Sequence, residues 1–181
     1  RAHGAQAMKR RTLLLLPAGL LLAACTTLPE GVRERRGRFS LQKTGYGAPE
    51  QFTGRFTLRT GPGLLRLDIL TPLSGVIARI ESTPHGTTIS RGLDEVVARG
   101  DSPEALMEET LGFSIPVSTL EAWLDGRPGP DALPAESWRD GDWSVTVSAR
   151  QPDSTPSRIL AVYENRGARM RLTLLLDTPK P

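Results

Sequence analysis

The chain has 181 residues, of which 38% are hydrophobic and 24% charged, within the range of a globular domain and too apolar for a disordered chain. Its one Cys excludes an intramolecular disulfide framework and any Cys-rich zinc site, and its two His leave little for metal or acid–base chemistry. The net charge of +3 suggests a nucleic-acid partner only until it is located: residues 1–24 hold Arg1, Lys9, Arg10 and Arg11 and no acid, leaving 19 of the 23 basic residues against 20 acidic ones beyond.

Residues 1–7 precede Met8 and are set aside as lying upstream of the true start. Met8-Lys9-Arg10-Arg11 and the Leu-rich run Thr12–Ala24 then form a positive n-region and a short apolar core. The run is shorter than the ~20 residues of a permanent membrane span. With small residues at its end, it predicts a signal peptide over 1–24. Leu22-Ala23-Ala24-Cys25 resembles a bacterial lipobox, in which the Cys is acylated and becomes the new N-terminus. Thr26 in place of Asp points to the outer rather than the inner membrane. Residues 25–36 read as acylated Cys and tether, and 37–178 as the folded domain. Within the tether Arg33, Arg35 and Arg36, with Arg38 beyond it, form a basic cluster. A solvated tether is the plainer account of it, and contact with anionic head groups is the alternative.

Period-two alternation follows. Phe39 and Leu41 alternate with Arg38, Ser40 and Gln42. Phe52, Phe56 and Leu58 oppose Thr53, Arg55, Thr57 and Arg59. After the Gly61-Pro62-Gly63 turn, Leu65, Leu67 and Ile69 alternate with Arg66 and Asp68, and Val76, Ala78 and Ile80 follow. Weaker strands are expected around 87–91 and 95–99. The period changes at Ser102-Pro103-Glu104, which predicts a helix to about Leu111, and a second helix is expected from Pro116 to Gly126. Strands resume with Trp143, Val145 and Val147, then Ile159, Ala161 and Tyr163, then Met170, Leu172, Leu174 and Leu176. This order predicts a mainly β fold with an α insert: an antiparallel, incompletely closed barrel with a helical lid around an apolar cavity. Periodicity alone does not separate a filled core from a pocket.

No catalytic constellation is present, and no cofactor or metal is expected. His85 sits in a Pro-His-Gly turn, and Glu108 and Glu109 are adjacent on a helix, where neighbours do not face a common point. Thr71-Pro72-Leu73-Ser74-Gly75 is a strand-to-strand turn that carries Leu73 where a polar residue is usual.

Leu22–Cys25, Gly37-Arg38-Phe39-Ser40-Leu41, Gly54-Arg55-Phe56-Thr57-Leu58, Leu65–Leu73, Leu111-Gly112-Phe113-Ser114-Ile115-Pro116-Val117 and Trp123-Leu124-Asp125-Gly126-Arg127-Pro128 resemble the LolB-type outer-membrane lipoprotein receptor family over most of residues 22–177. The resemblance implies a non-enzymatic, monomeric receptor on the periplasmic face of the outer membrane, anchored through Cys25. It would take acylated lipoproteins from a LolA-type periplasmic carrier and insert them into the membrane, with no nucleic-acid partner. It implies membrane insertion through Leu73, and an acyl-chain cavity bounded here by Phe39, Phe56, Leu58, Leu65, Leu67, Ile69, Val145 and Leu174. Two departures stand out. Only Thr26–Arg36 separate Cys25 from Gly37, where the family has a longer stretch with a helix and a Trp, and Ser74 precedes Gly75 where Pro-Leu-Gly is common. Rival readings are an anchored carrier of free lipids or fatty acids, a structural envelope lipoprotein with a filled barrel, and, least of the three, an enzyme using His85 or Glu109.

Overall fold

The computed structural model describes residues 28–45, 48–71, 75–111, 114–165 and 167–178. Ten strands form one antiparallel sheet. In chain order they are β1 (Arg33–Thr44), β2 (Glu50–Gly61), β3 (Leu64–Thr71), β4 (Gly75–Thr83), β5 (Gly86–Arg91), β6 (Glu95–Gly100), β7 (Ser137–Asp140), β8 (Trp143–Arg150), β9 (Pro156–Asn165) and β10 (Ala168–Leu176). The sheet order is β6-β5-β4-β3-β2-β1-β10-β9-β8-β7, so the first and last strands meet in the middle and the edges are β6 and β7. These edges do not pair with each other, and the barrel is unclosed. Register shifts at Ile69/Leu70, Ile89/Ser90 and Val147/Ala149 are bulges of the kind that bend a wide sheet around its core.

Residues 101–136 run from one open edge to the other and carry both helices, α1 (Pro103–Leu111) and α2 (Leu120–Leu124). The Ser102 hydroxyl accepts the Ala105 N–H at 3.3 Å, and Pro103 takes the first helical position, as the sequence predicts for α1. The second helix begins at Leu120, four residues later than expected, because 117–119 form a turn first. Gly126, at φ 72°, ends that segment in the left-handed region. Two further differences appear. β7 is not foreseen, since its four residues carry one apolar side chain. Residues 33–36, expected in the tether, are the start of β1.

The concave face holds the core. Leu41, Phe56, Leu58, Leu67, Ile80, Val145, Ile159, Leu172 and Leu174 from the strands pack with Leu106, Met107, Val117, Leu120, Trp123 and Leu124 from the insert. The Gly-Arg-Phe triplets of β1 and β2 interlock in register: Gly37 opposes Phe56, Arg38 opposes Arg55, and Phe39 opposes Gly54. Each ring lies over the opposite glycine. A Cβ on Gly54 would lie 2.9 Å from Phe39 Cε1 and 2.7 Å from the Leu70 carbonyl oxygen, and a Cβ on Gly37 would lie 2.8 Å from Phe56 Cε1 and against the Leu175 carbonyl. Gly54→Ala is therefore expected to cost about 2 kcal/mol, because backbone stands on one side of the new methyl and a packed ring on the other. Urea unfolding measures it, and an unchanged midpoint would show that β2 and β3 separate freely there.

On the convex face the Asp68 side chain, 8% exposed, takes Arg79 Nε at 2.6 Å and Nη2 at 3.1 Å. That hydrogen bond, opposed by partial burial and helped by the charge of Asp68, raises the Arg79 pKa above its ordinary value.

Candidate functional site

The inner surface of the barrel carries the apolar cluster that the described strands share. Phe56, Leu58, Leu67, Val145 and Leu174 are buried on it, and Phe39, Leu65 and Ile69 are partly buried against the same cluster. A void of about 50 Å³ survives between strands and helices, with no polar lining. Phe39, Phe56, Leu67, Ile69 and Leu174 border it, as do Leu41 and Leu172 from strands and Ile115 and Leu120 from the insert. Leu58, Leu65 and Val145 do not border the void. Ligand sites usually measure several hundred Å³. The interior is closed because the insert's own side chains occupy it.

The insert is fastened by polar contacts around a wholly apolar interface. Trp123 is fully buried, and its Nε1–H donates to Asp140 Oδ2 at 2.9 Å. The Thr119 hydroxyl donates to the same oxygen at 2.6 Å. Trp123 packs edge-on against Trp143, with centroids 5.9 Å apart, and Trp143 lies 5.4 Å from Tyr163. The Glu104 carboxylate of α1 accepts the Ser118 N–H at 2.8 Å, joining the two helical segments.

At the opposite end of α2, two arginines of β1 close on two carboxylates. Arg33 reaches Glu121 at 2.9 Å and Asp125 at 3.1 Å, and Arg35 pairs with Asp125. Asp125 is 10% exposed on its side chain, and the Arg35 Nε is buried without a partner. The basic cluster thus divides by strand parity. Arg33 and Arg35 point inward to the insert, while Arg36 and Arg38 point to the convex face. The sequence offers no sign of this division unless β1 is extended back to Arg33. The sequence carries no signal for Asp125, Glu121 or Asp140, since isolated acids at the ends of helices and strands are ordinary surface features.

Cys25 and Leu73 lie outside the described residues. The flanks of the Leu73 turn, Thr71 and Gly75, pair at the end of β3 and β4, beyond Ile69. His85 occupies the exposed β4–β5 turn, and Glu108 and Glu109 are exposed on α1. Among the described residues, no group of three or more His, Cys, Asp or Glu could hold a metal ion.

The family model described as "Outer membrane lipoprotein LolB" matches residues 33–177, the whole span from the first strand to just past the last. An outer-membrane lipoprotein LolB from Cupriavidus pinatubonensis is 33% identical, over 93% of this chain and 94% of its own. One from Bordetella petrii is 33% identical, over 91% of this chain and 92% of its own. A solved LolA superfamily protein from Nitrosomonas europaea aligns with 84% of this chain at 8% identity and a TM-score of 0.38, too loose a likeness to bear on the assignment. On the match across the strands and the insert together, the chain belongs to the LolB family of outer-membrane lipoproteins.

Proposed function

We propose that this protein is an outer-membrane receptor that takes lipoproteins from a LolA-type carrier, holds their acyl chains against the concave face, and inserts them into the outer membrane. The observation that carries this reading is an apolar concave face covered by the helical insert, whose rim is tied down by ion pairs and hydrogen bonds. Acyl chains gain about 0.8 kcal/mol per buried CH₂, so a lipoprotein needs an apolar shelter between membranes and no catalytic group to move it. Because the void is about 50 Å³, the insert must swing away for chains to enter. Phe39, Phe56, Leu67, Ile69 and Leu174 would then line the acyl site, with Leu58, Leu65 and Val145 deeper behind it. Cargo moves on when the membrane offers its chains a better environment than this surface does.

The closed interior also favours a second reading, a structural envelope lipoprotein with a filled barrel. A photo-crosslinker at Leu67 separates the readings. Capture of lipoproteins supports the receptor, capture of free lipid alone supports a lipid carrier, and no capture with an intact fold supports the structural reading.

Two expected results test the remaining assignments. Cys25→Ala should leave a folded protein that no longer sediments with membranes, since the first described strand begins only at Arg33. An unfolded variant would show that the domain begins earlier. Leu73→Asp should preserve cargo capture but slow its release into vesicles about tenfold or more, because a charge entering the bilayer is costly. Release at the parental rate would remove Leu73 from the insertion step.

A further inference from the structure

The convex face of β1 and β2 carries a basic groove of about 800 Å³ lined by Arg36, Arg38, Thr53, Arg55, Thr57 and Leu70. Arg38 and Arg55 oppose each other directly in the strand register, an arrangement that like charges disfavour. Arg55 reaches Asp177 at 3.2 Å, and Arg36 and Arg59 share Glu34 at 2.5 Å and 2.6 Å. Four arginines therefore face two carboxylates. Arg38 has no ion-pair partner among the described residues, and the side chains of Arg36 and Arg55 are 51% and 56% exposed. Among the described residues, this sheet face thus carries a surplus of positive charge.

The chain's own course says what covers this face. Leu28, 43% exposed, lines a neighbouring groove of about 400 Å³ together with Arg36, Arg55 and Asp177, so the segment before β1 lies beside the same arginines. A turn closed by the Val32 N–H to the Pro29 carbonyl at 3.1 Å leads from Leu28 into β1. Three peptide links separate Leu28 from Cys25. At 3.80 Å between successive Cα atoms, the acylated residue is within about 11 Å of Leu28. So short a lead holds the membrane surface close to Arg36 and Arg55.

We propose that the convex face of β1–β2 lies on the bilayer, with Arg36, Arg38 and Arg55 taking the phosphates of anionic phospholipids. This rests on the reading of Cys25 as the anchor. The concave face and its insert then look away from the membrane, open to an arriving carrier. Basic side chains near an anionic surface attract lipid individually and additively, so the arginines set the orientation that the acyl chains alone leave free.

The test uses the full acylated chain in vesicles of phosphatidylethanolamine with phosphatidylglycerol, compared with phosphatidylcholine alone. Acylated Cys25 does not react with thiol reagents, so Thr53→Cys, in the groove, and Thr146→Cys, exposed on β8, each take a single spin label. The expected result is that the Thr53 position is about fivefold less accessible to an aqueous relaxation agent on anionic vesicles, and the Thr146 position is unchanged. Adding Arg36→Glu and Arg38→Glu should remove the protection, with the far-UV spectrum unaltered. Equal accessibility of both labels on a vesicle-bound chain overturns the proposal and leaves the anchor standing. Loss of the chain from vesicles overturns both. Unchanged protection, with capture of lipoprotein from the carrier lost in the double variant, overturns the proposal and reassigns the face to protein docking.

Discussion

Trp123→Ala is expected to lower the free energy of unfolding by about 4 kcal/mol, the middle of the range for deleting a buried aromatic side chain. Trp123 is fully buried and makes three kinds of contact at once. Its ring fills the space between α2 and the β8–β9 floor, its edge meets Trp143 at 5.9 Å, and its Nε1–H satisfies Asp140. Removing it leaves a cavity that the stiff sheet closes only in part. It also leaves the Asp140 carboxylate with the Thr119 hydroxyl and one hydrogen bond fewer. Trp123→Phe separates these effects. It keeps most of the volume and the aromatic contact, and should cost about 1–2 kcal/mol for the lost hydrogen bond. Urea unfolding, followed through the remaining tryptophans and by far-UV dichroism, measures both. If Trp123→Ala costs under about 1 kcal/mol, the insert is not part of the cooperative core, and the barrel holds itself without it.

The sharp dependence of the core on one insert residue explains what the sequence shows and what it hides. Strand faces are legible because period two survives wherever apolar and polar residues alternate, as in Phe56-Thr57-Leu58 and Val145-Thr146-Val147. The ends of the helical insert are legible through Ser102-Pro103 and Gly126, whose chemistry is local. The sidedness of Arg33, Arg35, Arg36 and Arg38 is hidden, because a run of charges carries no apolar rhythm even when the backbone beneath it is a strand. β7 is hidden for the related reason that Trp138 is its single apolar residue. The Gly-Arg-Phe repeat is visible as a motif, but its reason lies in the β1–β2 register, which sets each glycine under the opposite ring. Least legible is the void itself. Its size depends on how far Ile115 and Leu120 reach down into the strands, a property of tertiary packing that leaves no mark on either segment's pattern.

The same packing makes stability and function pull in opposite directions at Asp125. This carboxylate gathers Arg33 and Arg35 at the end of α2, is nearly buried, and holds the insert to β1. Asp125→Ala leaves Arg35, 23% exposed on its side chain, with its Nε already unpartnered and its remaining N–H groups without their anion. The closed form should lose about 2 kcal/mol, less than a fully buried pair would, because Arg33 is 53% exposed and rehydrates readily. If acyl chains bind only to the opened barrel, the closed form competes with them. Weakening it by that amount then raises apparent affinity by up to about thirtyfold. The expected signature is therefore a lower unfolding midpoint together with tighter binding of a fluorescent acyl probe. Glu164→Ala, which breaks the exposed pair with Arg169, should change neither. A fall in stability with no gain in probe binding would mean that the insert is a permanent part of a filled core, and the structural reading would displace the receptor. A gain in binding would show that the Arg33–Arg35–Asp125 contact sets how often the apolar face is uncovered, and so places the threshold for accepting cargo in three side chains at one end of a five-residue helix.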